Sequence, residues 1–460
     1  MHRNIDLSWT PAIARSLVGA LAVASLLMSA TQALAEEPAP APEARPTGLP
    51  EQGNWTFNLD AGFGAFGFAN SLYTNARPDP SGNLSDNWLE TFVKPAISGS
   101  FAVAQGEIYG KASVVGERTF AAPPSAVGED ASSFQVEDAY VGWRSGKSVG
   151  TSENLLDFTL GRAPYKIGHG FLLWDGAGEG GSRGGFWTNA RKAWEFAAVG
   201  RAKPGKNTFE LFYLDRDEVP ESDTGTKLWG GNYEFALDEQ TTLGLTYMSF
   251  SANQAQRPDR DGLDVYNARA YTAPFGSLPG LSFEFEYAKE ENGSRLNSEA
   301  YTAQVAYEMS KQTWAPKLTY RYAFFEGDDP ATPTNEGFDS LLPGFYDWGT
   351  WWQGEILGEY IVSNSNLVTN ELRLHLTPNE SVGTGLIAFA YQLDRPAALG
   401  PGVTSKDVAF ELDAYCDWKA NKNFTLSFIA AYANPKSAVE QAFGRTSDFY
   451  YGMVYVAYAY

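Results

Sequence analysis

Hydrophobic and polar residues alternate along most of the chain with a period of two, which is the pattern of β-strands that separate two different environments. Residues 281–287 (LSFEFEY) show it most clearly, because the apolar side chains face one way and Ser282, Glu284 and Glu286 face the other. Similar alternation occurs in 300–307, 317–322, 409–413 and 424–428. The core of a soluble β-sandwich does not accept such charges unpaired, whereas the water-filled lumen of a transmembrane barrel does. The pattern therefore predicts an all-β fold, a single transmembrane antiparallel β-barrel.

The connections between the predicted strands alternate in length. Short turns occur at 105–106, 203–206, 276–280, 377–380 and 419–422, and long loops at 70–86, 117–133, 166–192 and 326–365. In outer-membrane barrels the short turns are periplasmic and the long loops extracellular. Strands of about 9–11 residues give about nineteen candidates, of which 354–362 is the weakest. Assigning that segment to a long loop leaves about eighteen strands, an even number that puts both ends in the periplasm.

The last segment, 447–460 (SDFYYGMVYVAYAY), is rich in aromatic residues and ends the chain on one. An exposed apolar edge strand invites aggregation in a soluble protein, whereas the last strand of a barrel closes against the first. We therefore predict that 447–460 is the final strand and that it pairs with 55–69.

The amino terminus resembles a secretory signal. Arg3 and Arg15 precede an apolar run over 16–30, which is too short to span a membrane as a helix, and an A-x-A site predicts cleavage after Ala35. Residues 36–52 are proline-rich and are predicted to form an extended periplasmic tail. The domain organisation is thus a signal peptide (1–35), a tail (36–52) and a barrel (53–460), located in the outer membrane of a Gram-negative bacterium with lipid as a partner.

Charge and composition exclude several functions. The formal net charge of −21 disfavours nucleic acid as a partner. A barrel hydrolase would need a nucleophile with a nearby base, but the chain has no G-x-S-x-G motif, and only His169 and His375 follow the signal. Alternation and loop length place these histidines near opposite ends of the barrel. The sequence therefore predicts no enzyme, no cofactor and no metal site.

Alternation along the strands, and the positions flanking them, assign charged side chains to the lumen. The basic ones include Lys94, Lys111, Arg144, Arg191, Lys192, Arg201, Arg269, Arg321 and Arg373, and the acidic ones include Glu195, Glu284, Glu286, Glu411 and Asp413. Acids outnumber bases in the full set of inward positions. Such residues set the selectivity of a pore, or they pair with one another and brace the wall. The sequence leaves both interpretations open.

Two segments resemble the alginate-export outer-membrane porin family. The first has Gly161-Arg162 after a strand, a glycine-rich stretch, and Asn189-Ala-Arg191 before the next strand. The second, EGFDSLLPG over 336–344, contains Phe338, Asp339 and Pro343 and is similar to the family's F-D-x-L-x-P-G loop. Alternation points Arg162 outward, unless a bulge intervenes or it lies above the membrane. The resemblance implies a barrel of eighteen strands that exports an anionic polysaccharide such as alginate with periplasmic secretion subunits.

The loop 338–352 is unusually aromatic and includes Trp348, Trp351 and Trp352. Aromatic faces stack on sugar rings, and they also form interfacial girdles or inward-folded plugs. The sequence thus predicts a channel that passes a polar, carbohydrate solute by passive diffusion. The alternative is a general diffusion porin for small hydrophilic solutes.

Overall fold

The computed structural model describes residues 53–70, 86–121, 131–150, 153–174, 176–273, 278–344, 353–444 and 447–460. The predicted signal peptide and proline-rich tail lie outside these residues. None of the helices in the described ranges has both the length and the apolar character needed to cross a membrane.

Eighteen antiparallel strands form one sheet that closes on itself, in agreement with the predicted fold class and strand number. The strands are β1 (Asn54–Ala69), β2 (Asp86–Val103), β3 (Gly106–Phe120), β4 (Ser132–Arg144), β5 (Leu156–Arg162), β6 (Phe196–Ala202), β7 (Asn207–Asp215), β8 (Lys227–Ala236), β9 (Thr241–Ser251), β10 (Asp264–Thr272), β11 (Leu281–Asn292), β12 (Leu296–Glu308), β13 (Lys317–Phe325), β14 (Leu367–Asn379), β15 (Val382–Gln392), β16 (Asp407–Lys419), β17 (Phe424–Pro435) and β18 (Phe449–Ala459). The predicted closure is confirmed, because β1 pairs with β18 from Asp60 opposite Ala459 to Ala69 opposite Tyr450.

The start of β1 and the end of β18 lie at the same end of the barrel, where most of the short turns are found. In outer-membrane barrels this is the periplasmic end. The segment that the sequence analysis removed from the strand count is indeed not a strand, since it begins with a π-helical turn, Gly354–Gly358. The other helical elements are the 3₁₀ turns Gly181–Arg183, Pro220–Ser222 and Pro396–Leu399 and the short α-helix Ser437–Phe443.

The two faces of the sheet meet different environments. Large apolar side chains stand on the outer face, where Phe134 is 74% exposed and Leu211 is 73% exposed, as a surface that faces lipid requires. The inner face instead buries charged side chains, among them Glu290, Arg321 and Glu371. The strands thus have the predicted apolar outer face and charged inner face, with Arg162 at the end of β5 as an exception described below.

The described parts of two extracellular connections fold back into the barrel. They are residues 163–174 and 176–195, here the first lumen loop, and residues 326–344 and 353–366, the second lumen loop. They bond to each other, since Trp174 N donates to the Leu342 carbonyl (2.8 Å) and Gly344 N donates to the Gly170 carbonyl (2.9 Å). Phe338 is 2% exposed and packs on Phe325. The described start of the aromatic loop is thus folded inward, whereas Trp348, Trp351 and Trp352 lie outside the described residues.

Removal of residues 447–460 is expected to prevent closure, because β1 and β17 would each lose a full ladder of backbone hydrogen bonds. The measurement is heat-modifiable migration on a detergent gel, which the truncated chain should lose completely. Tyr460→Ala is the matched control, since that side chain is 65% exposed and only its backbone pairs with Leu59. A truncated chain that still migrates as a closed barrel would refute the closing role of β18.

Candidate channel interior

Three of the basic residues predicted for the wall, Arg144, Arg201 and Arg321, are held by carboxylates on neighbouring strands. Arg321 and Glu371 stand directly opposite each other on β13 and β14 and form an ion pair of 3.1 Å between Nη1 and Oε2. Other pairs between strands are Arg144 with Glu107, Arg201 with Glu210, and Lys111 with Asp138. The structure therefore favours bracing as the main role of these side chains.

Arg269 reaches its partner across an intervening strand. Its Nη2 lies 2.7 Å from Glu234 Oε1, although Arg269 is on β10 and Glu234 is on β8. Both residues stand opposite Gly244 of β9, and a Cβ there would lie 2.6 Å from Arg269 Cζ. Gly244 thus provides the close approach that lets the guanidinium lie flat along the wall.

Arg373 and His375 converge on one hydroxyl. Arg373 Nη2 donates to the Tyr415 hydroxyl (3.0 Å), and His375 Nδ1 lies 2.6 Å from the same oxygen. Tyr415 reaches them from β16 across Gly385 of β15, where a Cβ would lie 2.7 Å from its ring. A second glycine therefore opens the wall for a contact across a strand.

His169 lies far from its predicted level. Its Nδ1 is 3.1 Å from Glu284 Oε2, and its ring stacks on Tyr271 at 4.0 Å, near the periplasmic ends of β11 and β10. Glu286, two residues further along β11 on the same face, accepts a hydrogen bond from the Tyr271 hydroxyl. The expectation that His169 and His375 occupy opposite ends is wrong, because the first lumen loop carries His169 down into the barrel.

Asp217, in the β7–β8 loop, forms ion pairs with three arginines, of which two are buried. Its carboxylate pairs with Arg162, Arg183 and Arg191, and Arg183 Nη2 lies at 2.8 Å. Arg191 is fully buried and also faces Glu137 of β4 at 3.4 Å. These contacts tie the end of β5 and both halves of the first lumen loop to one side chain.

Gly161 explains why Arg162 joins this cluster although alternation points it outward. Gly161 has φ +122, and a Cβ there would lie 2.4 Å from the Ala139 carbonyl oxygen, so glycine is required. The unusual backbone conformation ends the regular alternation of β5, and Arg162 turns inward. The bulge that the sequence analysis left open is thus a glycine irregularity.

Carboxylates of the wall hold the lumen loops by accepting their backbone N–H groups. Glu90 of β2 accepts from Trp187 and Thr188, Glu137 from Lys192 and Ala193, Glu411 of β16 from Ile356 and Leu357, and Asp413 from Glu355, at 2.6–3.2 Å. Charge-assisted bonds of this kind are stronger than those between neutral groups. Glu411 and Asp413 are fully buried and lie behind the second lumen loop. Glu195, in contrast, is exposed just before β6 at the extracellular end.

The motif residues of the second lumen loop fix its fold. Asp339 forms a two-pronged ion pair with Arg260 of the β9–β10 loop, and its backbone N donates to Glu290 of β11. Burial alone would raise the pKa of Asp339, but the hydrogen bond and charge of Arg260 hold it below its usual value. Pro343 is buried in the same segment. In the first lumen loop, Asn189 adopts φ 38 in a turn onto Gly185.

A cavity of about 730 Å³ remains between the loops and the wall. It extends from Arg216 and Arg257, in extracellular loops, to Asp417 and Ser427 in the periplasmic part of β16 and β17. Its charged lining is acidic in excess: the carboxylates are Glu179, Glu218, Glu355, Glu359 and Asp417, and the guanidinium groups are Arg216 and Arg257. Of the named candidate residues that the structure describes, Asn189 lines this cavity and the others do not. Alternation could not find the other lining residues because most lie on loops.

The fold is that of known outer-membrane channels. The chain is similar to the crystal structures of Pseudomonas aeruginosa OccK11 (OpdR), with a TM-score of 0.54 and 10% identity over 88% of this chain and 95% of that one. It is also similar to Pseudomonas aeruginosa OpdO (TM-score 0.55, 12% identity, 88% and 97% covered) and to Acinetobacter baumannii OccAB4 (TM-score 0.55, 10% identity, 89% and 98% covered). No family model and no curated protein sequence matches the chain.

The predicted membership of the alginate-export family is wrong. The structural neighbours are Occ and Opd porins of eighteen strands, and only the general outer-membrane porin fold is supported. The motifs gave the wrong family because their residues serve local geometry. Gly161 provides a left-handed backbone angle, and Asp339 and Pro343 shape an inward turn. These neighbours are porin channels and not enzymes, and at 10–12% identity the likeness concerns the fold.

Asp217→Asn is expected to release the first lumen loop, because three guanidinium groups, two of them buried, would lose their shared anion. Removing one partner of a buried ion pair costs about 3–5 kcal/mol. The expected results are new tryptic cleavage at Arg183 or Arg191 in the folded barrel and a larger single-channel conductance. Asp223→Asn is the control, since Asp223 is exposed in the same β7–β8 loop. Unchanged protease resistance and conductance in Asp217→Asn would contradict the anchoring role.

Proposed function

We propose that this protein is a passive outer-membrane channel for small hydrophilic solutes and that it favours cations. The observation that carries the proposal is the acidic cavity between the two lumen loops and the wall. Rings of acidic side chains favour cations in pores, and basic rings favour anions. The whole-length likeness to outer-membrane porins supports the channel itself.

The charges that set selectivity are those that face water in the passage. The paired arginines of the wall contribute little, because carboxylates neutralise them at contact distance. Glu355 and Glu359 lie on the second lumen loop where the cavity passes β16–β18. Solutes would move down their own gradient, and the lumen loops limit their size, so the channel would act without secretion subunits.

Reversal potentials in planar bilayers test the proposal directly. In a KCl gradient the purified protein should conduct with the sign of a cation-selective pore, because five carboxylates and two guanidinium groups line the cavity. Asp417→Asn, at a partly exposed position of the lining, should shift the reversal potential toward zero. Glu239→Gln, at an exposed position in a periplasmic turn, should leave it unchanged. A protein that does not conduct, or that selects anions, would overturn the proposal.

Selectivity should also depend on pH through Glu359. Burial, and after it the charge of Glu90, raise the pKa of Glu359 to about 8, against the opposing effect of Lys192. An acid with a raised pKa is protonated below that value and becomes charged above it. Cation selectivity should therefore increase between about pH 7 and about pH 9.

Reversal potentials measured at each pH check this expectation, and Glu359→Gln should remove the step. The same step in Glu359→Gln as in the unmodified protein would assign it to another group. Glu239→Gln again serves as the control for a change of one charge away from the passage.

A further inference from the structure

The cavity has an acidic face at the level of the second lumen loop. Glu355, Glu359 and Asp417 line it. Glu355 is 2% exposed, and its Oε2 has no hydrogen-bond partner among the described residues. Asp413 lies directly behind, where its Oδ2 accepts from the Glu355 backbone N and its Oδ1 likewise has no partner. Buried carboxylate oxygens without a donor are costly, so Glu355 and Asp413 leave this face short of donors, although the charge of Lys192 acts on Glu359.

The first lumen loop and β18 supply an aromatic face to the same cavity. Phe186 and Trp187 line it from the loop, and Tyr455 lines it from β18. Trp187 packs on Tyr455 with ring centroids 5.0 Å apart and on Phe66 at 5.3 Å, so its plane is fixed. Aromatic faces attract cations and accept flat rings. The two faces together suit a solute with one charged end and one planar end.

The ionisation of Glu355 agrees with this interpretation. Burial raises the pKa of its carboxyl, and the carboxylates of Glu359, Glu411 and Asp417 raise it further. A cation at this place would replace the proton and supply the missing partner. No group of three or more His, Cys, Asp or Glu side chains in the described part of the chain is arranged to hold a metal ion. The aromatic face therefore decides in favour of an organic cation.

We propose that the cavity is a binding site for small organic cations, in which an ammonium group contacts Glu355 and Glu359 while an attached planar ring packs against Trp187 and Phe186. This inference rests on the proposed channel function and assigns it a solute class. The cation would pause at the site on its way through the barrel and reduce the ionic current while it is bound.

Three ring compounds that differ only in their head group test the inference in planar bilayers. Benzylamine carries an ammonium, benzyl alcohol is neutral and benzoate is an anion. Benzylamine should block the current at concentrations at which the other two have no effect. Glu355→Gln should weaken this block by about tenfold, as expected for the loss of one contact to a charged group, about 1.4 kcal/mol. Glu239→Gln should not change the block, since Glu239 is exposed in a periplasmic turn.

The outcomes are distinguishable. A protein that does not conduct overturns the proposed function and the inference with it. A conducting protein that all three compounds block equally, or whose block is unchanged in both Glu355→Gln and Glu359→Gln, overturns the inference alone. Glu359 is half-buried, so its variant keeps the test valid if Glu355→Gln does not form a heat-modifiable barrel.

Discussion

The interior of this barrel depends on carboxylates of the wall that accept backbone N–H groups from the lumen loops. Glu90, Glu137 and Glu411 each take two adjacent N–H groups, and each is almost fully buried. The loops have no strand partners of their own in these segments, so their backbone donors would otherwise remain unsatisfied in a narrow space. A closed sheet of eighteen strands encloses a wide lumen. These bonds therefore convert a wide barrel into a barrel with a narrow, shaped passage.

The same constraint divides the acidic residues into two groups with different roles. One group holds loops or braces arginines and contributes little field to the passage, as with Glu411 behind the second lumen loop and Glu371 beside Arg321. The other group lines the cavity, and two of its members, Glu355 and Glu359, form no ion pair with an arginine in the described part of the chain. A strongly negative net charge is thus a poor guide to ion selectivity, since many of the carboxylates hold loops or pair with arginines.

The sequence predicted the barrel well because the two-residue periodicity of a strand can be recognised from a few neighbouring residues. It predicted the faces of the strands, the closure of β18 on β1 and the loop assignment of the segment that begins at Gly354. It could not predict which residues fill the lumen, because the alternation along strands does not indicate how far a loop extends into the barrel. His169 therefore lies near the periplasmic ends of β10 and β11 instead of above the membrane. Arg162 shows the same limit on a small scale, since one left-handed glycine is enough to reverse the direction of a side chain.

Strands and loops have different roles in this barrel, which explains why the same fold can serve channels for different solutes. The strands must keep an apolar outer face for lipid and inner groups for bracing, and glycines such as Gly244 and Gly385 serve the bracing. These demands leave little freedom on the wall. The groups that meet a solute are mostly on the lumen loops, which are constrained only where wall carboxylates hold them. Barrels that share about a tenth of their residues with this one can therefore keep its strand arrangement while their loops present a different passage.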